Sequence, residues 1–235
     1  MVSNSVKFLL NDKTQEIKNP DPNQTILNYI RTELKKTGTK EGCSEGGCGA
    51  CTIVLGELVG DEIKYSSINS CISFVPSLNG KQLLIVEDLV SKDGTLHPVQ
   101  DAMVKYHGSQ CGFCTPGFVM SLFSMFKNNK SYNSELITDS ISGNLCRCTG
   151  YRPIIDAARS LNKINKKDEF SKNKSKVIKL LKKIRPKNIY IKKDDKVYFS
   201  PRNIKELKNI IKKYSNFNFL AGGTDLSLTV TKERK

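Results

Sequence analysis

Apolar and polar positions alternate over the first stretch of the chain. Val6-Lys7-Phe8-Leu9-Leu10 reads as a strand, Asn11-Asp12-Lys13 as a turn, and Thr14 to Ile17 as the returning strand of a hairpin. The period then changes. Thr25 is placed to cap a helix whose apolar face is Ile26, Leu27, Ile30 and Leu34. A loop rich in Gly and Cys, Gly42 to Cys51, separates it from strand-like runs at Thr52-Ile53-Val54-Leu55, around Ile63 and Tyr65, and at Leu83-Leu84-Ile85-Val86. A hairpin, one helix and further strands in this order predict an α+β domain of the β-grasp kind over residues 1–92.

From there the helical period dominates. Pro98 suits a first helical position, with Val99, Ala102, Met103 and Tyr106 on one face. Pro116 opens a second helix through Phe118, Met120, Leu122 and Phe126, and Glu135 to Ile141 forms a third. Pro153 opens a fourth with Ile154, Ile155, Ala158 and Leu161, so residues 93–163 read as a four-helix bundle. Beyond a basic segment at 164–187 the pattern is strand–helix–strand. Val197 to Ser200 is a strand, Pro201 starts a helix with Ile204, Leu207, Ile210 and Ile211, and Phe217 to Ala221 runs as a strand into Gly222-Gly223-Thr224-Asp225. Residues 188–235 form the beginning of a third, α+β unit.

The formal charge of +15 raises the question of nucleic acid, but much of it is concentrated. Lys163 to Lys187 holds eleven Lys/Arg against two Asp/Glu, which reads as a solvated, lysine-rich linker. No nucleic-acid-reading motif accompanies it, so no such partner is expected. No apolar run reaches membrane-spanning length, and the opening MVSNSVKFLLNDK does not read as a secretory signal. A cytoplasmic, reducing setting is expected, in which eight cysteines are metal ligands sooner than disulfides.

They divide into two sets of four. Cys43, Cys48, Cys51 and Cys71 have the C-x4-C-x2-C spacing of plant-type 2Fe–2S proteins followed by a distant fourth cysteine. Gly42, Gly46, Gly47 and Gly49 let the backbone wrap close and turn N–H groups toward sulfur. Zinc usually takes two paired hooks, not three cysteines on one Gly-rich loop. Cys111, Cys114, Cys146 and Cys148 are spaced C-x2-C then C-x-C, which taken alone fits a four-cysteine zinc site as well as a cluster. The electron-transfer character of the first set favours a second 2Fe–2S cluster.

The runs Gly42-Cys43-Ser44-Glu45-Gly46-Gly47-Cys48-Gly49-Ala50-Cys51, Gln110-Cys111-Gly112-Phe113-Cys114-Thr115-Pro116-Gly117 and Gly143-Asn144-Leu145-Cys146-Arg147-Cys148-Thr149-Gly150-Tyr151 resemble the two cluster motifs of the xanthine dehydrogenase and aldehyde oxidase family of molybdenum hydroxylases. The resemblance implies an oxidoreductase whose molybdenum cofactor sits on a partner chain, with a purine such as xanthine as substrate. It implies electrons passing from there through the helical-domain cluster to the β-grasp cluster, then to FAD and NAD. It implies that Gln110 hydrogen-bonds the pterin of the molybdenum cofactor; by itself Gln110 is an ordinary polar residue at a helix end.

Leu220-Ala221-Gly222-Gly223-Thr224-Asp225-Leu226 is similar to the flavin-binding loop of the same family, although a Gly-Gly turn alone says little. The resemblance implies FAD as a cofactor, but a second flavin-contacting region of the family has no counterpart here, which puts FAD binding by this chain alone in doubt. His97 and His107 are given structural roles, since cysteines fill every cluster position. Arg147, between two ligands, either offsets cluster charge or faces solvent or a partner. Tyr65 and Tyr151 read as packing residues. Two alternatives stay open: the electron-transfer part of an aldehyde- or carbon monoxide-oxidising relative, and a zinc-binding interaction module.

Overall fold

A computed structural model describes residues 3–165, 167–184 and 188–233. The predicted hairpin is present as β1 (Ser5–Leu10) and β2 (Lys13–Lys18), paired from Ser5–Lys18 to Leu10–Lys13. β3 (Thr52–Val59), β4 (Glu62–Asn69) and β5 (Gln82–Leu84) complete a sheet of order β2-β1-β5-β3-β4, with β1 and β5 parallel and the other neighbours antiparallel. Successive side chains leave a strand on opposite faces. Here Val6, Phe8, Ile53, Leu55 and Leu83 enter one core with Ile26, Tyr29 and Ile30, while Leu9, Val54, Tyr65 and Leu84 enter another with the helices. Both faces are covered, which is why the central strands are apolar almost throughout.

The segment capped by Thr25 is one short α-turn, α1 (Ile26–Asn28), that widens into a π-turn over Tyr29–Glu33. Thr25 Oγ1 accepts the Asn28 N–H at 3.1 Å, as its sequence position predicts. The bundle consists of α2 (Pro98–Lys105), α3 (Thr115–Asn128), α4 (Ser134–Ile141) and α5 (Arg152–Ser160). α3 is buried on all sides from Gly117 to Phe126, so it is the axis around which the other helices and the outer face of β3 and β4 pack. Tyr106 caps α2 and is half-exposed instead of joining the apolar face.

The reading of 164–187 as a solvated linker is corrected by the structure over its described part; residues 166 and 185–187 lie outside the described residues. The segment forms α6 (Glu169–Lys172) and α7 (Lys174–Lys183), and Val177, Leu181 and Ile184 are buried in the same core as α3. Their spacing of four then three is a helical seam, hidden in the sequence by the lysines around it. α7 is held across the sheet by Lys174–Glu62, by Lys176–Asp12 at 2.6 Å and by Lys182–Asp61 at 2.7 Å. Asp168 is the buried end of this strap. Its carboxylate lies 2.8 Å from Lys127 Nζ on α3 and 3.0 Å from His97 Nε2 at the start of α2. His97 Nδ1 accepts the Val99 N–H at 3.2 Å, so Nε2 carries the proton and donates to Asp168. His97 is thus structural, as expected.

A second hairpin, β6 (Ile189–Lys193) and β7 (Lys196–Ser200), precedes α8 (Ile204–Lys213). β6 was not predicted; Ile189 and Ile191 bury themselves in the β1 core, and Ser3 pairs with Ile189. The predicted strand Phe217–Ala221 is corrected: those residues are irregular, and Phe219 is exposed. The chain then enters α9 (Leu226–Thr231).

Candidate iron–sulfur centres

Strand register assembles the first set of thiols. Thr52 pairs with Asn69 at the open end of β3 and β4, so Cys51, just before one strand, meets Cys71, just after the other. Ser70 fastens the join, donating from its hydroxyl to the Cys51 carbonyl at 2.7 Å. Cys43 and Cys48 stand on the preceding loop. Their thiols contact each other, as do those of Cys51 and Cys71, and Cys71 also feels Cys43. Loop N–H groups converge on sulfur: those of Glu45 (3.4 Å), Gly47 and Cys48 on Cys43, that of Ala50 on Cys48, and that of Gly46 on Cys71. Gly42 must lack a side chain, because a Cβ there would fall 2.8 Å from Cys48 Sγ.

The thiol acidities follow from these contacts. The hydrogen bond from Cys71, aided by Ser70, holds the Cys51 thiol at about 7 against the effect of burial. Cys71, the donor of that bond and itself buried, is pushed up. Burial acts to raise Cys43, but the N–H groups outweigh it and hold this thiol below its ordinary value. Backbone donors aimed at sulfur favour thiolate, the form that binds metal.

The second set stands at helix ends. Cys111 and Cys114 precede α3, and Cys146 and Cys148 lie in the loop between α4 and α5. Cys111 contacts Cys148, and Cys114 contacts Cys146. Burial, then the hydrogen bond to Cys146, pushes the Cys114 thiol up to about 12. Cys146 is lowered: burial opposes, but Thr149 gives it both a hydroxyl contact at 3.2 Å and an N–H at 3.5 Å. The Cys146 N–H in turn donates to Tyr151 Oη at 2.9 Å, and the Tyr151 ring meets Phe118 edge-on, so Tyr151 braces the ligand loop as well as packing. Tyr65 is a packing residue, buried edge-on against Phe123.

Every resolved thiol–thiol contact stays within one set, and in each set the four stand two and two. Two pairs side by side fit two bridged irons, each taking two thiolates. The residues present therefore fit 2Fe–2S clusters.

The two sets are joined by contacts that sequence reasoning missed. The Leu145 N–H donates to the Cys48 carbonyl at 2.9 Å, linking the residue before one candidate ligand to a ligand of the other set. Asn144, buried, donates to the Gly49 carbonyl at 2.9 Å and to Thr52 Oγ1 at 3.2 Å, and accepts from Ser121 at 2.6 Å. The only sequence signal is an Asn two residues before a Cys, next to a Gly; its partners Gly49 and Thr52 lie more than 90 residues away.

Two family models match this chain: a 2Fe-2S iron-sulfur cluster binding domain over residues 8–76 and a 2Fe-2S binding domain over residues 85–159. Xanthine dehydrogenase from Blastobotrys adeninivorans is 50% identical over 163 residues, and aldehyde oxidase from Homo sapiens 44% over 158. The chain belongs to the two-cluster iron–sulfur family of xanthine dehydrogenase and aldehyde oxidase. These matches cover 68% and 66% of the chain but 12% of each relative, so the family's shared part is the electron-transfer module. Among solved structures, quinoline 2-oxidoreductase from Pseudomonas putida matches at a TM-score of 0.56 and 29% identity, over 76% of this chain and 96% of that one. Aldehyde oxidoreductase from Desulfovibrio desulfuricans matches at 0.58 and 30%, over 69% and 17%.

The remaining candidates are placed as follows. Gln110 is exposed next to Cys111, and Arg147 is exposed between its two cysteines. His107 sits exposed after α2 with a left-handed backbone. Leu220 to Asp225 is irregular, with Gly222 and Gly223 both left-handed, and leads through Leu226 into α9, whose Leu228 packs against the core of Leu27, Cys51, Cys71 and Ile72. The helix that follows this loop thus lies against the core that holds two thiols of the first set. Among the described residues no helix is long and apolar enough to cross a membrane.

Proposed function

We propose that this chain is the electron-relay, small-subunit part of a xanthine dehydrogenase. When bound, two 2Fe–2S clusters supply one-electron steps between purine oxidation at a molybdenum cofactor on a partner chain and FAD, which serves NAD. Cys111, Cys114, Cys146 and Cys148 hold the cluster that faces the partner, with Gln110 against the pterin. Cys43, Cys48, Cys51 and Cys71 hold the other, and Leu220, Ala221, Gly222, Gly223, Thr224, Asp225 and Leu226 form the flavin side. The observation that carries the reading is the Leu145 N–H to Cys48 C=O hydrogen bond, which gives a covalent and hydrogen-bonded route from Cys146 to Cys48 without a jump through space. The residues' task is ligation, spacing and tuning; the redox chemistry belongs to the cofactors.

A second reading is the same relay in another molybdenum hydroxylase. Aldehyde oxidases match about as well as the mammalian xanthine enzyme does, at 44% against 45%. Co-purification with the partner chain and an assay of purine-dependent NAD reduction decides between them. Turnover of aldehydes without purines would establish the second reading. A colourless protein holding zinc and no iron would overturn both.

A further inference from the structure

α9 does more than follow the flavin-like loop. Ser227 is fully buried, and Leu228 lies on the core formed by Leu27, Cys51, Cys71 and Ile72. One residue past the helix, Lys232 Nζ reaches back over 189 residues and donates to the Cys43 carbonyl at 2.6 Å. It also stands 3.5 Å from the Glu45 carboxylate on the same ligand loop. Of the two contacts the one to the Cys43 carbonyl is shorter, so a positive charge is fixed on a ligand residue's own peptide group. Partly exposed, a lysine held this way adds little to folding. Its effect falls on a charge that appears beside it. Net charge and hydrogen bonding around a cluster are among the terms that set its reduction potential.

We propose that Lys232 is a positioning residue of the first centre: it fixes the Cys43–Glu45 loop and raises the potential of the cluster held there, so that electrons arriving from the second centre are drawn to it. This rests on the two-cluster reading above. Glu45 opposes Lys232, being a negative charge on the same loop, so the two side chains should act with opposite signs. The second centre, whose cysteines lie outside the Lys232 contacts to Cys43 and Glu45, should not respond.

The test uses the full chain with its clusters reconstituted, titrated electrochemically and followed by EPR. Cys51→Ala identifies which reduced-cluster signal belongs to the first set. Lys232→Gln should then lower the ratio of reduced to oxidised first cluster at a fixed potential by about threefold to tenfold, the effect of one partly screened charge. Lys232→Arg should retain the wild-type ratio, and Glu45→Gln should raise it. The second signal should not move. A first signal unmoved in Lys232→Gln, or both signals moved equally, with about four irons per chain, would overturn the role of Lys232 alone. A wild-type chain that takes up no iron would overturn the two-cluster reading and this proposal with it.

Discussion

The two centres use the same four-thiol logic on different supports, and the difference lies in what covers them. In the first, Cys51 and Cys71 are 1% and 4% exposed, set at the open end of two paired strands in a small core against which Leu228 packs. In the second, Cys111 and Cys148 are exposed, and only Cys146 is buried. A sheet edge fixes a ligand by register and lets other chain segments close over it. Loops at helix ends project their ligands outward. The buried pair of the first set lies in a core that α9 packs against, while Cys111 and Cys148 of the second are open to solvent. In the proposed relay, this gives the module an inner end for the flavin and an outer end for the partner.

Removing a ligand from either end is the most severe test of the comparison. Cys51→Ala and Cys148→Ala should each lower bound iron from about four atoms to about two and remove a different one of the two reduced-cluster EPR signals. Loss of both signals from either variant would mean that the centres are not separately built.

The next largest effect concerns what holds the two supports together. Asp168 on the strap is 3% exposed at its side chain and contacts α3 through Lys127, 9% exposed, as well as His97. Removing one member of a buried pair typically costs about 3–5 kcal/mol. Asp168→Ala should lower the urea midpoint accordingly, whereas high salt, which weakens exposed pairs such as Lys182–Asp61, should cost much less. Burial acts to raise the Asp168 carboxyl, but the bonds from His97 and Lys127 hold it well below the ordinary carboxylate range. Since the folded value is depressed, its stabilising effect is complete above the unfolded value of about 3.9 and is lost as pH falls below it toward the folded value. The wild-type midpoint should therefore fall with acidification in that window, and Asp168→Ala should lack that part of the fall.

What the sequence revealed of this arrangement depended on how local the cause was. The Thr25 cap is a local pattern, and the structure places it as read; the cysteine sets are local patterns too, and their thiols meet within each set. β1, β2 and α3 follow from short-range periodicity. The strap was missed because lysines dominate its composition, although Val177, Leu181 and Ile184 carry the seam. Phe217 to Ala221 alternates like a strand, yet among the described residues no strand pairs with it; apolar alternation without a neighbour does not make a sheet. Asn144 was invisible for the opposite reason: its role comes entirely from Gly49, Thr52 and Ser121.

The seam between the centres offers a smaller, sharper perturbation. A Cβ on Gly117 would lie 2.1 Å from the Gly49 carbonyl oxygen, backbone that cannot turn aside. Gly117→Ala should cost about 1–3 kcal/mol by overpacking. It should also push α3 from the first ligand loop and strain the Leu145–Cys48 hydrogen bond. The expected result is slower electron exchange between the clusters, measured after rapid reduction, with both EPR signals retained. Unchanged exchange with the same loss of stability would remove that hydrogen bond from the route.

The mildest test reads coverage directly. A chelator takes iron as thiolates become protonated and water reaches the metal, so access matters as well as affinity. Cys111 and Cys148 are open to solvent, while Cys51 and Cys71 are buried in the core that Leu228 packs against and the loop N–H groups stay on Cys43. Under limiting chelator the second EPR signal should decay several-fold faster than the first. Leu228→Ala should narrow that gap by uncovering the first centre, without altering the decay of the second. If the first signal decayed sooner in the wild type, burial would not be what distinguishes the two ends. Their difference would then have to lie in the hydrogen bonds on sulfur, which serve Cys146 through Thr149 as well as they serve Cys43 through Glu45.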